Sequence, residues 1–235
     1  AAGLQGRELA RFLRQWATAE QHAGNRRVSY DLHARAIEVT DSPFQRVDSL
    51  QTMIQSASSF GEVERAREHL AAMREVQSRM QRNPRTPPAQ LAIVETNVLR
   101  ASTRIEQVSG NHAEAERLAR RAIAANERVD AGGDQPAERG YRALWLRSDL
   151  ARSLGAQGRL LEAEVEQRAA LLGRLSLQGR YSGETVATVV GLGNLLFQQG
   201  RGAEAERLGR AAVESLDAMS YDPGSALYGD ALMLV

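Results

Sequence analysis

The chain has 235 residues, with 30 basic and 29 acidic side chains and a formal charge of +1, so it lacks the basic excess of a dedicated nucleic-acid binder. Every basic residue is arginine, which excludes Schiff-base and other lysine chemistry. There is no cysteine, which excludes disulfides, thiolate zinc sites, iron–sulfur clusters and cysteine nucleophiles.

Helix formers dominate, aromatics are 5%, and no segment shows sustained period-2 alternation of β-branched residues, so the chain reads as all-α. In chain order, Leu13, Trp16, Ala17 and Glu20 form a helical stripe that ends at Gly24. Ser29, His33, Ala36 and Ile37 follow as the second helix of that unit, and Trp16 is read as core. Ser42-Pro43 reads as an N-cap with proline at the first helical position. Leu50, Met53, Ile54 and Ala57 lead to Gly61, and Ala66, Leu70 and Met73 come after it. A proline-bearing loop at 81–88 opens the third unit. A second loop at 129–137 carries Gly132-Gly133-Asp134. Leu150, Ala151 and Leu154 precede Gly158, and Val189, Leu192, Gly193 and Leu196 precede Gly200. Asp222-Pro223 reads as another helix start, before a final apolar run, Leu227 to Val235.

Three segments align without gaps: Gly110 to Ile123, Gly158 to Leu171 and Gly200 to Val213. Each has glycine, four residues, alanine, six residues, alanine and an aliphatic. The alanines are Ala115 and Ala122, Ala163 and Ala170, Ala205 and Ala212. The glycine ends one helix in the left-handed conformation. Alanines seven apart share one face of the next helix and let a neighbour approach closely. Glu116–Arg120, Glu164–Arg168 and Glu206–Arg210 are i,i+4 pairs in the favoured order. Successive repeat glycines step by 37, 49, 48 and 42 residues, so the connections vary while the helix pair is kept.

These residues resemble the tetratricopeptide repeat (TPR), with Leu192-Gly193, Leu196, Gly200, Ala205 and Ala212 carrying the likeness. The 42-residue step and the phrase Gly179 to Val186 are similar to the longer kinesin-light-chain type of repeat. Ser102, Thr103 and Glu106 depart from the family's leucine, glycine and large aromatic. The resemblance implies a right-handed α-solenoid of helix pairs, with units at about 5–40, 42–80, 88–128, 137–178 and 183–220 and a half unit at 223–235. It also implies a role in bacterial regulatory proteins, where such arrays sit beside a CHAT peptidase, a kinase or a transcription regulator. Ala1 opens the chain without an initiator methionine and Val235 closes it inside an apolar run, so we read it as a piece of a longer protein, the alternative being a mature form after processing at the N-terminus.

No catalytic constellation is visible. His22, His33, His69 and His112 are scattered singly, so neither a metal site nor any cofactor is expected. His112-Ala-Glu114 lacks the cysteines of a deaminase motif and reads as a loop histidine before a helix. Gly191-Leu-Gly193 follows no strand and fits a helix-packing position instead. No apolar run approaches the length of a membrane span and no signal-peptide pattern opens the chain, so no membrane is expected. The compartment stays open, with the cytoplasm slightly favoured.

In such an array the first helix of each pair lines the concave face. Counted from the repeat glycines, the inward set includes Arg11, Arg14, Thr18, Asp48, Gln51, Gln55, Asn97, Arg100, Arg104, Trp145, Ser148, Arg152, Asn194 and Gln198, in which arginines outnumber acids five to one. This reads as a groove for a protein or peptide partner with an acidic segment or a C-terminal carboxylate. The competing reading is that arginine is simply this protein's surface residue. Trp145 either anchors a ligand or packs against the preceding unit. The expected function is a non-catalytic protein-interaction scaffold. The alternative is a peptide or small-ligand sensor array controlling an effector domain outside these residues, and an intramolecular contact with such a domain is a further option.

Overall fold

The computed structural model describes residues 4–22, 25–129 and 136–235. Among the described residues every regular element is an α-helix. They fall into two compact units, residues 1–135 and 136–235. The first holds α1 (Gly6–His22), α2 (Arg26–Val39), α3 (Pro43–Ser59), α4 (Val63–Arg82), α5 (Pro88–Val108) and α6 (His112–Glu127). The second holds α7 (Pro136–Ala156), α8 (Leu160–Gln178), α9 (Gly183–Gln198), α10 (Gly202–Ala218) and the short α11 (Ala226–Leu232). Consecutive helices pack as TPR-like pairs: α1 with α2, α3 with α4, α5 with α6, α7 with α8, and α9 with α10.

The repeat glycines set the turn inside each pair. Gly158 and Gly200 have φ of 76° and 78°, in the left-handed region open to glycine. Each sits in a Schellman cap. The Gly158 N–H donates to the Gly155 carbonyl (2.9 Å) and the Arg159 N–H to the Leu154 carbonyl (3.1 Å). Gly200 and Arg201 repeat the pattern on Phe197 and Leu196. Gly61 and Gly110 share this conformation, whereas Gly24 lies outside the described residues.

Beyond each turn the alanines seven apart are sealed. Ala115, Ala122, Ala163, Ala170, Ala205 and Ala212 are all buried. In the first unit Val47, Leu50 and Ile54 of α3 pack with Ala66, Leu70 and Met73 of α4 and Val94 and Val98 of α5. In the second, Leu192 and Leu196 of α9 pack with Ala205, Ala212 and Leu216 of α10 and Ala231 and Leu234 beyond it. A Cβ on Gly193 would stand 2.5 Å from the Leu234 side chain, so the absent side chain makes room for the C-terminal segment. The three i,i+4 pairs form, with Glu164–Arg168 at 2.7 Å and Glu164 itself buried.

Three sequence expectations are corrected. Trp16 is 44% exposed and donates its indole N–H to Glu20 (2.7 Å); the buried stripe of α1 runs through Ala10, Leu13 and Ala17, leaving Trp16 on its flank. Asp222-Pro223 is a turn, its carboxylate accepting from the Gly224 N–H, and α11 starts later, capped by the Ser225 hydroxyl. His112 is the first residue of α6, not a loop residue. Ser42-Pro43 does open α3 as expected, with Ser42 accepting from the Gln45 N–H. The α4–α5 connection covers 83–87, tighter than the 81–88 loop read from sequence, and Gly132-Gly133-Asp134 lies outside the described residues.

Candidate binding surface

The surface is built by repetition. Positions 13, 10 and 6 residues before the repeat glycines fall on one helix face, because these spacings are close to whole turns. In the first unit they are Arg11, Arg14 and Thr18 on α1, Asp48, Gln51 and Gln55 on α3, and Asn97, Arg100 and Arg104 on α5. These helices pack side by side, α1 on α3 and α3 on α5. Two of the contacts between them run in the same diagonal sense. The Arg14 guanidinium donates to Asp48 (2.8 Å), and that of Arg104 to the Ser59 hydroxyl (3.5 Å). In both, the residue on the later helix lies about one turn nearer its N-terminus. The face is polar throughout: Arg11, Thr18, Asp48 and Gln55 are exposed, and Arg14, Gln51, Asn97, Arg100 and Arg104 are half-buried.

Beneath it, on α2, lies His33, buried with Nδ1 3.3 Å from the Ser49 hydroxyl. Burial, then the positive charge of Arg14, lowers its pKa to about 4. It is therefore neutral at pH 7 and adds no charge to the face above.

In the second unit the same count gives Trp145, Ser148 and Arg152 on α7 and, on α9, the apolar Ala187 and Val190 with Asn194, so the polar face is not kept there; Gln198, at the end of α9, lies off the count. Arg152, Asn194 and Gln198 are exposed. Arg152 pairs with Asp149 on its own helix (3.3 Å). Trp145 is half-buried, with the Arg174 guanidinium over its ring at 4.2 Å and the Tyr141 ring edge-on at 6.2 Å. Arg174 also donates to Glu184 (3.3 Å), which Gln178 (2.7 Å) and the Tyr141 hydroxyl join. Burial, then the bond to Glu184, raises the Tyr141 pKa.

Sequence counting missed Asp149, Arg174 and Glu184. Each is ionic, and each sits one residue off the counted positions or on another helix, so only the packing brings it to the site. Among the described residues no group of histidines and carboxylates could hold a metal, and no helix is long and apolar enough to cross a membrane.

A chain of consecutive antiparallel helix pairs with glycine-capped turns is a helical repeat protein. Residues 185–215 match the tetratricopeptide repeat family model. No curated protein matches it in sequence. Among solved structures it is similar to BtubC (BKLC) from P. vanneervenii, at 14% identity and a TM-score of 0.59, over 96% of this chain and 82% of that one. It is also similar to Bacillus thuringiensis PlcR in complex with the peptide PapR7 and DNA, at 13% identity and a TM-score of 0.66, over 96% and 74%. A third is the Podosopora anserina kinesin light chain with nearly identical TPR-like repeats, at 17% identity and a TM-score of 0.50, over 89% and 95%. These likenesses concern the fold.

Proposed function

We propose that this chain is a non-catalytic array that binds a polypeptide, and that the face of α1, α3 and α5 takes an acidic segment or a C-terminal carboxylate. One observation carries the reading: the nine counted positions of the first unit form one polar face with four arginines and a single acid, Asp48. Guanidinium groups match carboxylates in a bidentate fork, which suits an acidic ligand better than a neutral one. Asn97 and Gln55 offer amides to a peptide backbone on the same face. In the second unit, taken by itself, Arg152 on α7 and Asn194 and Gln198 on α9 are exposed polar groups, and Trp145 on α7 is half-buried.

The test is fluorescence anisotropy with an acidic peptide library and a matched basic one. Arg100→Glu with Arg104→Glu is compared with Arg117→Glu on α6, whose exposed side chain pairs with Glu114. Tenfold or greater weakening in the double variant only, with affinity falling as salt rises, supports the reading. Equal binding by wild type and double variant removes the face from consideration.

A second reading is a sensor array that takes a short peptide and controls an effector domain such as a protease, kinase or transcription regulator. The similarity to PlcR, solved with the peptide PapR7, favours it. It predicts one saturable site per chain for peptides of a few residues, whereas a scaffold needs a longer segment.

A further inference from the structure

A cavity of about 410 Å³ opens in the first unit, where the α2–α3 and α4–α5 connections meet the ends of α3, α4 and α5. Its apolar lining includes Val76 and Met80 of α4, both nearly sealed from solvent. Three arginines line it, Arg46, Arg79 and Arg85, against one acid, Asp41. The acid and one of the cations are already answered. Asp41 takes the Arg7 guanidinium at 2.6 Å, and Arg79 pairs with Glu75 on its own helix. Arg46 and Arg85 have no carboxylate partner among the described residues; the Arg46 Nη2 donates to the carbonyls of Ile37 (3.2 Å) and Thr40 (3.1 Å). The 21-residue helix α5 also begins at this cavity, with Pro87 at the N-cap position and no side-chain cap, and Gln90 of its first turn is in the lining. The positive end of α5 therefore adds to the field of the two unmatched guanidiniums.

We propose that this cavity binds a small organic anion, its carboxylate or phosphate held by Arg46 and Arg85 and its apolar body resting on Val76 and Met80. The volume suits a metabolite-sized molecule rather than a protein surface. A bare inorganic ion makes no use of the apolar lining, and a neutral molecule makes none of the guanidiniums, so the ligand carries both parts. The bonds to Ile37 and Thr40 fix one nitrogen of Arg46 and leave Nε and Nη1 to donate. The lining draws on two successive helix pairs, α3 with α4 and α5 with α6, so an occupant ties them together. None of the nine counted positions of α1, α3 and α5 lines this cavity, which makes the site separate from the polypeptide-binding face.

The experiment is an amide NMR titration of the whole chain, into the millimolar range, with phenyl phosphate, phenylacetate and the neutral benzyl alcohol. The expected result is saturable binding of at least one anion, with shifts centred on Val76, Met80, Arg85 and Gln90, and no comparable response to benzyl alcohol. Arg85→Glu weakens that binding about tenfold or more. Arg117→Glu, which makes the same change of charge at an exposed side chain of α6, leaves it intact. Arg85 is exposed, so its variant keeps the helical circular dichroism of the wild type. Tighter binding of phenyl phosphate assigns a phosphate monoester, and tighter binding of phenylacetate a carboxylate; either carries the proposal. It is overturned if neither anion saturates, if benzyl alcohol binds as well as the anions, if the shifts fall elsewhere, or if the Arg85 and Arg117 variants bind alike.

Discussion

The guanidinium of Arg174 on α8 lies 4.2 Å from the ring centre of Trp145 on α7, and only 1% of the Arg174 residue surface meets solvent. A buried cation so placed is held by the ring face on one side and by Glu184 on the other (3.3 Å). Trp145 is thus part of the packing between paired helices as well as of the surface. Replacing Arg174 by Ala removes the cation–π contact and opens a cavity. We expect a loss of about 3 kcal/mol in urea unfolding. In a Trp16→Phe background, Trp145 emission shifts to longer wavelength as water reaches the ring. Arg174→Lys recovers little, since an ammonium cannot stack on the indole and reach Glu184 together.

His33 makes the first unit sensitive to acid. Its folded pKa is lowered to about 4 by burial and by Arg14, against 6.5 when exposed. The unfolded chain therefore binds the proton more readily between these values. The contribution of neutral His33 is complete above about pH 6.5 and is lost as pH falls towards 4, at most about 3 kcal/mol. Urea midpoints measured from pH 7.5 to pH 5 should fall in wild type and fall less in His33→Gln. Parallel slopes would remove His33 as the cause.

Two classes of glycine should respond differently to alanine. At Gly158 a Cβ meets nothing within 4 Å, so Gly158→Ala costs only the left-handed strain, about 1–2 kcal/mol. At Gly209 on α10 a Cβ would stand 2.7 Å from Cβ of Leu234 and 3.2 Å from the Ala231 carbonyl. Gly209→Ala must therefore push the C-terminal segment away. Hydrogen exchange checks this: faster exchange in α11 with Gly209→Ala, and unchanged exchange there with Gly158→Ala.

Glu164 ties α8 to the turn before α10. It accepts from Arg168 (2.7 Å), Arg201 (3.0 Å) and Gln199 (2.9 Å). Burial alone would raise its pKa, but the bonds from Gln199, Arg168 and Arg201 outweigh burial and lower it. Its stabilising effect is present above the ordinary glutamate range and is lost as pH falls through the lowered value. Glu164→Gln should cost about 1–2 kcal/mol near neutral pH and less in acid, as read by thermal unfolding.

The sequence by itself determined the repeat. Glycine is the residue that takes the left-handed cap cheaply, so Gly61, Gly110, Gly158 and Gly200 announce the turns before any contact is known. Alanines seven apart announce a close helix approach, and the counted polar positions of α1, α3 and α5 follow from the 3.6-residue period. These are local rules, legible along one strand of text. The tertiary structure decided what depends on neighbours. Trp16 belongs to a helical stripe by spacing, yet the packing direction of α1 leaves it outside. Asp222-Pro223 has the chemistry of a cap, yet Ser225 holds that role, and the segment that follows packs Ala231 and Leu234 against Gly209 and Leu234 against Gly193. Arg174 and Trp145 are 29 residues apart in sequence, and their stacking exists only because α7 and α8 lie against each other. Burial and pairing across helices are properties of the packed array, and no single helix encodes them.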